Sequence, residues 1–205
     1  MKLILATLLL AFVVGLLAGG RPSGLSSLKV RWTPVALVGL ASQLAPVPGH
    51  TWPLVLLVVS FVLLTAFAIV NLRAGVAGFL LILIGVLMNF TVIAVNHGMP
   101  VTREALVASH QQETLPILLS RPGAKHHLAA PGDRLLFLGD VIAVPPLDQI
   151  VSLGDICAYA GVVWLVAAGM ARREPDADEA NGGRIISAPA GGDGPREALP
   201  AGDPA

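Results

Sequence analysis

The sequence predicts an all-α membrane protein with about five transmembrane helices and a long, partly ordered outer loop between helices 4 and 5. Three observations lead there. Apolar residues make up 55% of the 205-residue chain and charged residues only 13%, about half the charged share of a soluble domain. The mean hydropathy is +0.77, so there is too little polar surface to cover a water-facing globule. The apolar residues also gather into long runs bounded by arginines and turn residues, the pattern of segments dissolved in lipid.

The first segment, about residues 1–19, is an unbroken apolar run from Leu3 to Ala18. With its flanking glycines it just reaches the ~20 residues that a bilayer crossing requires. Lys2 and the small residues Ala18-Gly19-Gly20 also fit a cleaved secretion signal. The run is at the long end for such a peptide, which favours a retained span. Gly15 and Gly19 have the spacing that lets helices approach closely. A polar connection with Arg21, Lys29 and Arg31 follows. The second segment, about 32–46, is short and contains Pro34, with Trp32 placed to anchor at the headgroups. Pro46 to His50 reads as a tight turn.

From Pro53 to Val95 the chain is almost wholly apolar, broken only at Asn71-Leu72-Arg73. One helix of that length would reach about 64 Å, twice the ~30 Å hydrocarbon thickness. The stretch is therefore a hairpin, with spans 53–70 and 75–95 and a turn at Asn71–Ala74. The last span is 153–170, closed by Arg172 and Arg173. Beyond it, residues 171–205 are rich in Pro, Gly, Asp and Glu and read as a disordered cytoplasmic tail. Five spans put Arg21, Lys29, Arg31, Arg73, Arg172 and Arg173 on one side. The bias of basic residues toward the cytoplasm then sets the N-terminus outside and the C-terminus in the cytoplasm.

Residues 96–152 form the outer loop, far longer than an ordinary connection. Thr102 to Val107 reads as a Thr-capped helical turn. Leu115 to Leu119 and Leu135 to Leu138 are apolar clusters suited to the bilayer interface or to plugging the bundle. The motifs here are Asn96-His97-Gly98-Met99-Pro100-Val101, His126-His127, Leu138-Gly139-Asp140-Val141-Ile142 with Pro145, and Ser152-Leu153-Gly154-Asp155-Ile156. Together with Gly19-Gly20-Arg21 they make the chain resemble domain-of-unknown-function family 5317, over roughly residues 1–170. The resemblance implies a multi-spanning bacterial membrane protein, hence a cell-membrane location, and implies no activity.

The candidate functional surface comprises Asn89, Asn96, His97, His126, His127, Asp140 and Asp155. All five histidines fall on the outer side and, with Asp133, Asp140 and Asp155, include the donor types of a zinc-like site. No HExxH or helical HxxxH spacing organises them, so solvated loop histidines are the simpler reading and no metal or cofactor is expected. His97-Gly98 before Met99-Pro100 reads as a helix stop, with Gly98 at the end. The Leu-Gly-Asp tripeptide occurs twice. Asp155 completes an S-x-x-D capping box with Ser152. Asp140 suits a turn carboxylate that accepts from backbone N–H groups, against an acid–base role. Asn89 and Asn96 lie seven apart on one helix face, fit for interhelical hydrogen bonds or a polar path, which Gln43 could join. Cys157 is alone, so neither an internal disulfide nor a CxxC motif exists.

Zero formal net charge gives no basic surface for nucleic acid. No catalytic triad, phosphate loop or dinucleotide fingerprint is present. The expectation is a non-enzymatic envelope protein whose outer loop binds a partner or ligand. Its neighbours would be membrane lipid and another envelope protein or a second copy. Two alternatives are a transport or channel component using the Asn89/Asn96 face, and a metal-dependent envelope enzyme.

Overall fold

The computed structural model describes residues 2–45, 51–120 and 125–172. The turn at Pro46–His50, Arg121, Arg173 and the tail lie outside the described residues. Five apolar helices dominate: α1 (Lys2–Leu17), α2 (Thr33–Leu44), α3 (Thr51–Arg73), α4 (Phe79–Asn96) and α7 (Leu153–Met170). Between α4 and α7 lie the short helices α5 (Arg103–Ala108) and α6 (Leu115–Ser120) and four three-residue strands.

Three helices are long and apolar enough to cross a bilayer: Trp52–Arg73, Phe79–Asn96 and Leu153–Met170. The two weaker segments fall short of that length. α1 has 16 residues and α2 has 12, rises of about 24 and 18 Å against a ~30 Å hydrocarbon core. Local stops set these lengths. Gly19 turns α1 off at φ +77, while α2 starts after Trp32 at φ 60 with Pro34 in its first turn.

The hairpin turn sits further along than the polar break suggests. α3 runs on to Arg73, and the reversal uses Gly75 and Gly78, both at positive φ. Asn71 is thus helical and fully buried. Its carboxamide accepts from Arg31 N at 2.7 Å and donates to Arg31 O at 2.8 Å, so one polar side chain docks the preceding connection as a strand partner would. A residue that looks like turn punctuation is instead a clasp.

The helices pack in the order α1, α7, α4, α3, α2. α4 and α7 touch closely because their facing residues are small: a Cβ on Gly161 would lie 2.7 Å from Gly78 O. Gly15 brings α1 against Met170 and Ala167 of α7, while Gly19 only ends its helix. At one end of the row, Arg21 N donates to Met170 O at 2.8 Å and Asn71 holds Arg31, which gathers Arg21, Lys29, Arg31, Arg73 and Arg172 there. At the other end, Lys2 pairs with Asp148 at 2.7 Å, and the Lys125 ammonium donates to the Gln43 carbonyl at the end of α2.

The described residues between 97 and 152 fold into a cap over this second end. β1 (Met99–Val101) and β2 (His126–Leu128) pair in parallel, Met99 opposite His126. β3 (Ile142–Val144) and β4 (Gln149–Val151) form an antiparallel hairpin turned by a 3-10 segment and Asp148 at φ 48. These two small sheets depart from an all-α chain. Each strand has only three residues, too few for an alternation pattern to mark. Thr102 caps α5 by accepting from Ala105 N. Of the apolar clusters, Leu138 packs on the core of Leu57, Phe61, Val92, Ile93 and Met99, whereas Ile117, Leu119 and Phe137 stay exposed.

Candidate functional site

Helix α7 begins with a complete capping box. Asp155 N donates to Ser152 Oγ at 3.0 Å, and Ser152 N to Asp155 Oδ2 at 3.1 Å. These bonds satisfy N–H groups left free at a helix start. Asn89 of α4 completes the junction, donating to Asp155 Oδ1 at 2.6 Å and accepting from Ser152 Oγ at 2.8 Å. Gly154 makes room for it: a Cβ there would collide with Asn89 Oδ1. The Asp155 carboxylate is therefore held by two donors, and the Asn89 amide is engaged at both ends.

Asp140 is placed differently. Its backbone joins the end of β1, accepting from Thr102 N and donating to Pro100 O. Gly139 beside it is pressed on Pro100, where a Cβ would lie 2.7 Å from the carbonyl oxygen. The side chain is 12% exposed. No backbone N–H of the described residues donates to it, which corrects the turn-carboxylate expectation. The chain needs the Asp140 backbone for the bridge to Val101, and this turns the carboxylate inward rather than along its own turn. Among the described residues its ion-pair neighbour is His126 Nε2 at 3.6 Å, beyond hydrogen-bond distance.

Burial, helped by the nearby Asp155 charge, pushes the Asp140 carboxyl up to about 7. Desolvation also lowers the His126 imidazole, against the pull of Asp155. More than half of the His126 side-chain surface nonetheless stays open. Burial thus disfavours the imidazolium that would neutralise Asp140. Lys125, the nearest cation to His126 in the chain, is committed to the Gln43 carbonyl.

The other candidates separate from this pair. His127 Nε2 lies 3.1 Å from Asp133 Oδ1, and Asp133 also accepts from Ala130 N at 2.8 Å, which fixes the 129–133 turn. His97 is the residue that ends α4, at φ 58; the expected Gly98 follows it. Asn96 exchanges hydrogen bonds with the backbone of Arg134 at 2.8 Å each way. Asn89 and Asn96 thus serve different partners and form no common open face, and Gln43 turns to Ser60 at 2.9 Å. Among the described residues no three His, Cys, Asp or Glu side chains converge as metal ligands.

One contributor was not anticipated. Tyr159, the only tyrosine, lies one helical turn beyond Asp155 and within the electrostatic reach of both Asp155 and Asp140. Its i, i+4 spacing from Asp155 was the available signal.

No curated protein and no solved structure matches this chain. The model of a family of unknown function (DUF5317) matches residues 27–167, a range that covers α2, α3, α4, the cap and most of α7. By that match over more than half its length, the chain belongs to this family of unknown function.

Proposed function

We propose that this is a non-enzymatic bacterial cell-membrane protein with five membrane-embedded helices. Its cap faces outward and binds a cationic ligand at Asp140. The orientation is supported by the basic residues gathered at the end away from the cap, the cytoplasmic signature of short loops. The observation that carries the binding reading is Asp140 itself. A nearly enclosed carboxylate normally has its lone pairs taken by donors, as Asp155 does. Asp140 has none of the described donors within hydrogen-bond distance, and burial disfavours a charge on its neighbour His126. An incoming ammonium group would supply the missing charge and hydrogen bonds together.

Thermal unfolding of the detergent-solubilised full chain, titrated with ethylammonium at pH 8, tests this. The wild type should be stabilised in a saturable way, and Asp140→Asn should lose that response. Equal responses from the two would defeat the reading.

A further inference from the structure

A cleft of about 450 Å³ opens beside this site, between α1, α7 and the β3–β4 hairpin. Leu3 and Leu10 form one wall, Ile142 and Val151 the roof, and Ala160 and Val163 the other wall. The two polar side chains in the lining are Thr7 and Tyr159. Thr7 Oγ donates to Leu3 O at 2.9 Å inside its own helix, so it offers nothing to a guest. The cleft is therefore aliphatic along its length, with a phenol as its polar mark.

We infer that the cleft holds one acyl chain of a membrane phospholipid whose headgroup ends in an ammonium, with that ammonium at Asp140. The inference rests on the cationic-ligand reading of Asp140 given above. Three observations carry it. Its walls belong to α1 and α7, two of the helices read above as membrane-embedded, and α7 is long and apolar enough to cross a bilayer, so in that reading the cleft lies beside lipid chains. The cleft adjoins the polar site through Tyr159, which lines it and lies in the field of both Asp155 and Asp140.

Charge completes the match. Asp140 and Asp155 are the charged side chains that Tyr159 meets beside the cleft, which favours a cationic head over an anionic one. The volume lies within the ~300–1,000 Å³ range of small-ligand sites.

The test is native mass spectrometry of the full chain, released from detergent after incubation with equal amounts of phosphatidylethanolamine and phosphatidylglycerol. The wild type should retain one phosphatidylethanolamine, preferred by about tenfold, equivalent to about 1.4 kcal/mol. Ala160→Trp fills the cleft and should lose the adduct. Val163→Phe, a smaller intrusion in the same wall, should weaken it and serves if the tryptophan variant does not fold. Asp140→Asn should keep lipid but lose the headgroup preference. Equal retention of the two lipids by the wild type, or adducts untouched by both cleft variants, would overturn the proposal. If the cleft variants leave the lipid in place while Asp140→Asn abolishes the ethylammonium response, the cleft assignment falls and the cation site stands. If Asp140→Asn leaves the ethylammonium response intact, the cation site falls as well.

Discussion

The chain writes Leu-Gly-Asp twice, fifteen residues apart by numbering, and folds the two copies into opposite circumstances. At residues 153–155 the glycine admits the Asn89 amide, and the aspartate caps a helix and accepts two hydrogen bonds. At residues 138–140 the glycine is wedged on Pro100, and the aspartate gives its backbone to a strand bridge. Both residues are largely shielded from water, but one carboxylate is satisfied and the other is not. Burial alone does not mark a site. A largely shielded carboxylate that no described donor reaches does, because its charge is then disfavoured until a cation arrives.

The sharpest way to separate the copies is pH. The Asp140 carboxyl titrates at about 7 in the folded chain against an ordinary 3.8. Between those values the folded state binds more protons than the unfolded state. Stability must therefore fall as pH rises from about 4 to 7, with a slope approaching 1.4 kcal/mol per pH unit and a total of at most about 4 kcal/mol. Asp140→Asn should flatten that slope and be the more stable protein at pH 8, as read by thermal unfolding in detergent. A persistent slope would place the titrating group elsewhere.

The next effect belongs to the other copy. Gly154→Val drives a side chain into Asn89 and should cost about 3 kcal/mol, the upper range for overpacking. The same unfolding measurement should show little pH dependence in that loss. The smallest effect is Asp155→Ala, which removes the cap and leaves the Asn89 amide unpaired, at about 1–2 kcal/mol. If Asp155→Ala raised stability at pH 8, as expected for Asp140→Asn, the contrast between the copies would disappear.

Much of the frame was legible from the residues alone. The apolar runs marked all five helices, because lipid solvation leaves a compositional trace that needs no partner. The capping box at Ser152 and the Thr102 cap were legible because their bonds close within three residues. Asn71 was misread as a turn because its partner, Arg31, is forty residues away. The extent of α1 and α2 depended on where Gly19 and Trp32 adopt positive φ, which local sequence only suggests. The isolation of the Asp140 carboxylate is a tertiary fact: it follows from the bridge to Val101, and no spacing rule encodes it.

The position of α7 between α1 and α4 has a consequence for biosynthesis. In the membrane reading proposed above, a chain inserted from its N-terminus would leave the Gly85 face of α4 and the Gly15 face of α1 open to lipid, with the Asn89 amide awaiting its acceptor. Only when the segment from Ser152 to Arg172 leaves the ribosome can the two ends of the helix row be joined. Assembly is therefore committed by the last of the described helices to be made, and nascent chains ending before residue 153 carry a cap whose anchoring helix has not yet arrived.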